Sequence, residues 1–184
     1  MSTTLRWTLV EYDRMIEAGL FGGPRPRRAE LIGGEIREMT PIGPAHEDAV
    51  TRLDDWSHDN APSSEVLIRV QSSIGLPEID SAPQPDVAWV VRGDYRDRRP
   101  TAAEVLLITE VAESSLASDR SEKAELYAAA GIAEYWLVDL TSRAVEVRRD
   151  PFRGRYRSLQ TYTGDQELHP LCFPDIVLRP AMLF

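Results

Sequence analysis

The chain has 184 residues, of which 42% are hydrophobic and 28% are charged, and its formal net charge at pH 7 is −9. This length suits one domain, residues 1–184, with a substantial core. The single Cys172 excludes a disulfide within one chain and a cysteine-rich zinc site. The acidic balance argues against broad, nonspecific adhesion to nucleic acid but is compatible with a local basic groove. The sequence has no membrane-spanning run and no signal arrangement, so we expect no membrane partner and a cytoplasmic location.

The N-terminal segment predicts a helix followed by a basic loop. Apolar residues recur at helical spacing from Thr8 to Leu20, with Thr8 as the predicted N-cap. The loop PRPRR, Pro24 to Arg28, either contacts phosphates or is simply solvated.

A hairpin is predicted next, because Gly33-Gly34 joins two short alternating segments in AELIGGEIREM. In the register that this turn sets, Leu31 pairs with Ile36 and Glu30 pairs with Arg37. Glu30 is therefore either half of a cross-strand ion pair or an additional acidic group near a metal site.

Three further elements precede the central part of the chain. A helix begins at Pro44, and His46 in its first turn faces either a cleft or solvent; with no second His or Cys at ligand spacing, it is a weak metal candidate. A strand is predicted from Val66 to Leu76. Another follows Pro85-Asp86 as the apolar run Val87 to Val91. The loop from Arg92 to Thr101 carries four arginines and is the most basic patch.

Glu110 lies in VLLITEVA, which reads as a strand buried on both faces. By the two-residue period of a strand, Leu106, Ile108, Glu110 and Ala112 share one face. A buried carboxylate is costly unless it is neutralised. Glu110 therefore requires a cation, a basic side chain or a proton.

The helix after this strand carries Lys123, the one lysine in the chain. Asp119 is the predicted N-cap, Glu122 completes a capping box, and Gly131 suits the position just past the C-terminus. A lysine near a helix N-terminus opposes the helix dipole, so helix stability does not explain it. Lys123 is either the partner of Glu110 or a surface lysine retained by chance.

The remaining chain predicts strands at Tyr135 to Asp139, Ala144 to Arg149 and Tyr156 to Tyr162, with a proline-rich tail that packs over a sheet edge. Together these elements predict the α/β class, with a mixed sheet flanked by helices. Asp86, Glu110 and a backbone carbonyl such as that of Val111 form an oxygen-ligand set that suits Mg²⁺, with Lys123 nearby. These groups suit phosphodiester hydrolysis. Alternatively, Asp86 is a turn residue, and Glu110 and Lys123 form a buried ion pair.

Pro85-Asp86 and Glu110 resemble the Asp and Glu of the restriction-endonuclease-like superfamily, whose motif is written PD-(D/E)XK. A longer segment, EVAESSLASDRSEKAELYAAAGIAEYWLVD, is similar to the signature of the Uma-type restriction endonuclease family. ELIGGEI and the helix that contains His46 also fit that family. The resemblance covers most of the chain and is specific between Glu110 and Asp139.

The resemblance implies a restriction-endonuclease-like core that cleaves DNA with Mg²⁺, or with Mn²⁺ in its place. It implies Asp86 and Glu110 as metal ligands and Lys123 as the assistant to the attacking water, with Glu30 completing the acidic cluster. Ala112 stands where the motif has its lysine, two residues after the glutamate. In related nucleases this lysine can come from the neighbouring helix, and Lys123 lies in the corresponding predicted helix of this chain.

Related folds often act as dimers because a duplex has two strands to cut, which makes a homodimer the expectation. The family's usual Ser-Pro is replaced by Glu113-Ser114, which adds an acidic group. Two other functions remain open. One is a non-catalytic nuclease-fold module for binding or oligomerisation, and the other is a metal-dependent hydrolase of a smaller phosphate substrate.

Overall fold

The computed structural model describes residues 3–24, 26–113 and 115–184. Arg25 of the basic loop and Ser114 of the Glu113-Ser114 pair lie outside the described residues. The helices are α1 (Leu9–Glu17), α2 (Pro44–Asn60) and a crossover helix in three parts, α-helical Leu116–Ser118, π-helical Asp119–Lys123 and α-helical Ala124–Ala129. The strands are β1 (Ala29–Ile32), β2 (Glu35–Glu38), β3 (Val66–Val70), β4 (Val87–Val91), β5 (Val105–Ala112), β6 (Glu134–Asp139), β7 (Ala144–Phe152) and β8 (Arg155–Thr163).

Strands β3 to β8 form a mixed sheet in their chain order, so the α/β prediction is confirmed. Strands β5 and β6 pair in parallel, and the other neighbours in this sheet pair antiparallel. A parallel pair needs a long connection that returns the chain to the same end of the sheet. The crossover helix provides that connection and carries Lys123 across the sheet face.

The register of β4 against β5 shifts where Trp89 pairs with Leu107 and Val90 pairs with Val105. Leu106 is the extra residue at this bulge and packs against the core on the α2 side. It was predicted to share a face with Glu110, and the bulge makes that part of the prediction wrong. Ile108 and Ala112 pack with the crossover helix as expected for that face.

One face of the sheet is covered by α2 and the C-terminal tail. Trp56 of α2 lies between Trp89 and Trp136, with ring centroids 5.4 and 6.0 Å away. Its indole Nε1 donates to the carbonyl of Val177 at 3.0 Å, and Leu178 of the tail is fully buried in the same core. The tail therefore covers a sheet face beside α2, and the prediction that it packs over an edge is wrong.

The β1–β2 hairpin has the predicted register, with Leu31 opposite Ile36 and Glu30 opposite Arg37. Gly33 and Gly34 have φ values of 55° and 82°, the left-handed conformation that a two-residue turn requires. The cross-strand ion pair is not formed, because Arg37 bonds to Glu35 and Glu122 instead.

The predicted Val66 to Leu76 strand ends at Val70, because the next residue, Gln71, has a φ of 45°. A positive φ interrupts extended backbone.

The N-terminal prediction holds better: Thr8 caps α1, its hydroxyl accepting from the backbone of Glu11. Gly131, just past the crossover helix, has a φ of 78°, as predicted.

Asp119 is not an N-cap. The crossover helix begins at Leu116, so Asp119 lies inside it, where Ser115 Oγ donates to its carboxylate at 2.5 Å. Glu122 does not return to cap the helix either, since it pairs with Arg37. The capping pattern was misleading because burial, not helix initiation, accounts for the aspartate.

The arginine-rich loop is not an open basic patch. Arg96 pairs with Asp94, Arg98 with Glu104 and Arg99 with Asp13. In the ranges that the structure describes, no helix has the length and apolar character needed to cross a membrane.

Candidate active site

Five elements meet at a cleft of about 330 Å³, into which the sequence-predicted site residues fall. The elements are β1, the start of α2, the residue before β4, the C-terminal end of β5 and the crossover helix. The predicted residues that line the cleft are Glu30, Asp86, Glu110, Val111 and Lys123. They come from distant parts of the sequence, and the sheet brings them together.

Asp86, the residue before β4, is bonded to β5 at the floor of the cleft. Its backbone N–H donates to Glu110 Oε2 at 3.3 Å, and its own Oδ2 accepts the N–H of Val111 at 2.9 Å. Its Oδ1 lies 3.0 Å from His46 Nε2 and accepts from Gln71 Nε2 at 3.3 Å. The aspartate is thus held on both oxygens, and its orientation is fixed.

Glu110 is the most enclosed of the carboxylates in the cleft, with 4% of its surface exposed. Its Oε1 accepts from Lys123 Nζ at 2.9 Å and from the Tyr127 hydroxyl at 2.6 Å. Burial raises the pKa of Glu110 to about 8, the positive charge of Lys123 opposes this, and the charge of Asp86 adds to it. Removing a carboxylate from water disfavours its charged form, so the predicted need for a neutralising partner is real.

Lys123 is the last residue of the π-helical part of the crossover helix. Its Nζ lies 2.9 Å from Glu110 Oε1 and 3.4 Å from Glu30 Oε2, with 12% of the side chain exposed. Burial by itself would lower the pKa of Lys123, but the charges of Glu110 and Glu30 outweigh it and raise the pKa above its ordinary value. The lysine therefore stays protonated. Short π-helical turns occur frequently at functional sites.

Glu30 lies in the acidic cluster and not in the alternative cross-strand pair. Its Oε2 accepts the N–H of Gln84 at 3.2 Å and faces Lys123. Asp119, which was predicted to cap the helix, also lines the cleft, and burial raises its pKa.

Sequence reasoning missed three supporting side chains. His46 was a weak metal candidate, yet only 12% of its side chain is exposed and it contacts Asp86. Tyr127 is fully buried, and its hydroxyl donates to Glu110 Oε1. Its position four residues after Lys123 was the available signal. Gln71 gave no signal, because its role depends on a left-handed backbone conformation.

The cleft carries an excess of negative charge. Of the described residues that line it, seven are carboxylates, and three carry a permanent positive charge. Nowhere in ranges 3–24, 26–113 and 115–184 do three or more His, Cys, Asp or Glu side chains form a metal-binding group. This is unlike a structural zinc site, which normally has four protein ligands. Two carboxylates and a carbonyl fit Mg²⁺, which retains several waters and uses one or two protein carboxylates.

Comparisons with known proteins identify the fold and the family of this chain. A crystal structure of a putative nuclease belonging to DUF820 from Anabaena variabilis ATCC 29413 superposes with a TM-score of 0.74, covering 96% of this chain and 97% of that one at 15% sequence identity. At that identity the likeness shows the fold. No curated protein matches the chain significantly. The model of the Uma2 family, described as "Putative restriction endonuclease", matches residues 9–181. Because that match spans nearly the whole sequence, the chain belongs to the Uma2 family.

Proposed function

We propose that this protein is a Mg²⁺-dependent endonuclease that hydrolyses phosphodiester bonds in DNA. The observation that supports this most is the 2.9 Å contact between Lys123 Nζ and Glu110 Oε1. Ala112 leaves the family motif without its usual lysine, and the crossover helix supplies one beside the same glutamate. Family membership and the nuclease-like fold support the reaction class.

In this proposal Asp86, Glu110 and the carbonyl of Val111 hold the metal ion, with Mn²⁺ able to replace Mg²⁺. A bound divalent ion lowers the pKa of water and polarises a phosphoryl oxygen. Lys123 orients the attacking water and stabilises the negative charge that develops on the phosphate. Glu30 keeps the lysine in place.

The surrounding side chains prepare this site. Tyr127 holds Glu110 by donating to Oε1, and His46 and Gln71 hold Asp86 through Oδ1. Such supporting contacts orient metal ligands, and their loss commonly costs ten- to hundredfold in affinity or activity. During hydrolysis, water forms a bond to phosphorus, the bond from phosphorus to one sugar oxygen breaks, and a water proton ends on that leaving oxygen.

A duplex substrate would need two cuts, so we expect a homodimer acting on DNA in the cytoplasm. A second candidate is a nuclease-fold module that binds without cleaving. It is favoured by the closed ion pairs of Lys123, which is 12% exposed and faces both Glu110 and Glu30.

The test combines metal titration with plasmid nicking. Calorimetry of Mg²⁺ and of Mn²⁺ should detect binding by the wild type that is lost in Glu110→Gln. Nicking of supercoiled plasmid should require the metal and should fall about a thousandfold in Glu110→Gln and in Lys123→Met. Loss of metal binding in Lys123→Met as well would indicate a folding defect, which circular dichroism would detect.

Glu125→Gln is the matched control, because it also removes one carboxylate, but from the exposed surface of the crossover helix. It should bind metal and nick plasmid as the wild type does. Metal binding without nicking of plasmid, single-stranded DNA or RNA would support the binding module. Undiminished nicking by Glu110→Gln would refute the proposed site.

A further inference from the structure

Arg28 is held at the mouth of the cleft by two glutamines. Its Nη1 donates to Gln71 Oε1 at 3.0 Å, and its Nη2 lies 3.4 Å from Gln84 Oε1. Its backbone carbonyl accepts the N–H of Met39 at 2.8 Å, which fixes the chain at this point. The side chain is exposed, so one part of the guanidinium is anchored while the rest faces solvent.

The two glutamines connect Arg28 to the carboxylate cluster. Gln71 donates to Asp86 Oδ1 with its amide nitrogen, and the backbone N–H of Gln84 donates to Glu30 Oε2. Gln71 does so from a backbone conformation that side chains with a Cβ seldom adopt. Such conformations persist where the surroundings hold them, and they cluster at functional sites. A single uncharged glutamine therefore connects Arg28 to each of these carboxylates, Gln71 to Asp86 and Gln84 to Glu30.

The other basic side chains that line the cleft are neutralised. Arg37 pairs with Glu122, and Lys123 pairs with Glu110. Arg28, in contrast, forms no ion pair with any carboxylate in the part of the chain that the structure describes; its partners are amides. Its positive charge is left free, and guanidinium groups bind phosphate with paired hydrogen bonds.

A groove of about 690 Å³ continues from the cleft past Arg28. It shares Arg28 and the segment from Glu38 to Ile42 with the cleft and adds Pro26, Arg27 and Glu47. A strand whose scissile phosphate lies in the cleft would leave along this groove and pass the free guanidinium. A small phosphate ester would fill the cleft and leave the groove empty.

We propose that Arg28 binds a backbone phosphate adjacent to the scissile one, which makes the substrate a nucleic-acid strand and not a small phosphate ester. This inference rests on the proposed function for the position of the scissile phosphate. Because the direct partners of Arg28 are uncharged amides, its guanidinium also gives a chain with a net charge of −9 a local point of attraction for a polyanion.

The test compares Arg28→Gln with wild type on a long and a short substrate. Affinity for a 20-nucleotide single strand and for a 20-base-pair duplex is measured by fluorescence anisotropy with Ca²⁺, and turnover is measured with Mn²⁺ on the same DNA and on bis(4-nitrophenyl) phosphate. Arg28→Gln should weaken binding of at least one DNA about tenfold, the effect of one charged hydrogen-bonded contact. The slope of log affinity against log salt should fall by about 0.7 to 0.9 for that DNA.

The decisive quantity is the ratio of losses on the two substrates. The loss of kcat/KM on DNA should exceed the loss on bis(4-nitrophenyl) phosphate about tenfold or more, and Arg28→Lys should recover part of it. Arg96→Gln is the matched control, because Arg96 is exposed and already paired with Asp94, and it should behave as wild type. Equal losses on both substrates, no loss on DNA, or wild type that binds no DNA would each overturn the role of Arg28.

The inference and the proposed function fail in different ways. If wild type binds DNA without cleaving it and Arg28→Gln binds more weakly, the endonuclease assignment fails while the phosphate contact stands. If wild type cleaves DNA and Arg28→Gln cleaves it equally well, the endonuclease stands and the phosphate contact is refuted.

Discussion

Two clusters of charged side chains in this molecule are built differently. In the cluster between β7 and the crossover helix, Arg120 contacts Asp139 and Glu146, and Arg148 contacts Glu146 from the other side. Among the described residues of that cluster, two arginines meet two carboxylates. We call this the balanced cluster. Its charges are equal in number, although Arg148 Nη1 is buried without a hydrogen-bond partner among the described residues.

The cleft has the opposite character. Four enclosed carboxylates lie there: Glu30, Asp86, Glu110 and Asp119. Among the lysines and arginines that the structure describes, only Lys123 contacts them directly. Burial raises the pKa of Glu110 to about 8, as expected where negative charge is in excess. In structural ion pairs the positive and negative charges are matched, whereas this site has too little positive charge, which an added cation can supply.

The largest expected effect is a change in stability that distinguishes a charge-matched buried glutamate, Glu134, from the cleft residue Glu110. Glu134 is fully buried and belongs to the charge-matched kind, since its Oε1 accepts from Arg149 Nε at 2.7 Å and its Oε2 from the N–H of Leu171. Glu134→Gln should lower the free energy of unfolding by about 3 kcal/mol, because it leaves a largely buried arginine unpaired. Urea denaturation at pH 7 without metal measures this.

Glu110→Gln is the contrasting variant in the same experiment. Glutamine has the shape of the glutamate side chain and can still accept from the Tyr127 hydroxyl, and Lys123 keeps a carboxylate partner because Glu30 Oε2 lies 3.4 Å from its Nζ. Its unfolding free energy should change by less than about 1 kcal/mol. A loss in Glu110→Gln as large as that in Glu134→Gln would remove the distinction between the Glu134–Arg149 pair and the cleft.

The next effect is stabilisation by the metal. At a free Mg²⁺ concentration a hundred times the dissociation constant, the wild type should gain about 2.7 kcal/mol of unfolding free energy. Glu134→Gln should gain as much, since its site is intact, and Glu110→Gln should gain nothing. Thermal melting with and without Mg²⁺ measures the gain; equal stabilisation of all three proteins would place the ion somewhere other than the cleft.

The sequence allowed prediction of this contrast where short-range rules apply. Gly33-Gly34 fixed the hairpin register, and so placed Glu30 and Leu31 on opposite faces of β1. The cost of burying Glu110 predicted a partner, and the isolated lysine in an arginine-rich composition indicated Lys123. Both arguments rest on local geometry or on a large energetic cost, so tertiary packing does not overturn them.

The predictions that failed depended on competition between two explanations of the same residue. Asp119 matches an N-cap pattern, yet its burial in the cleft prevails and the helix begins earlier at Leu116. Leu106 follows the two-residue period of a strand until a bulge displaces it. Neither outcome can be predicted from a local sequence rule, because both depend on how β4 and the crossover helix pack around β5.

The setting of Arg28 could not be predicted for a different reason. It depends on Gln71 and Gln84, which lie 43 and 56 residues away in the sequence. The sequence left the basic loop either solvated or in contact with phosphates, and it favoured the loop from Arg92 to Thr101 as the basic patch. Arg96, Arg98 and Arg99 of that loop are paired with carboxylates, which a count of positive residues does not reveal.

The smallest expected effect concerns a third arrangement, an ion pair open to solvent. Glu104 accepts from Arg98 Nη2 at 2.6 Å and from the N–H of Thr101 at 2.9 Å, and these bonds lower the pKa of Glu104 to about 2. Because the folded pKa is below the ordinary 4.5, the contribution to stability is present above pH 4.5 and disappears as the pH falls towards 2. Solvent screening limits it to about 0.5 kcal/mol.

Glu104→Gln should therefore differ from wild type by this small amount at pH 7 and should converge with it near pH 2, as measured by urea denaturation across that range. Added salt should reduce the difference at pH 7, because exposed charges are screened. The same salt series should leave the loss in Glu134→Gln largely unchanged, since that pair is shielded from water. A salt-sensitive Glu134 and a salt-insensitive Glu104 would reverse the ranking and show that burial does not govern how charge stabilises this fold.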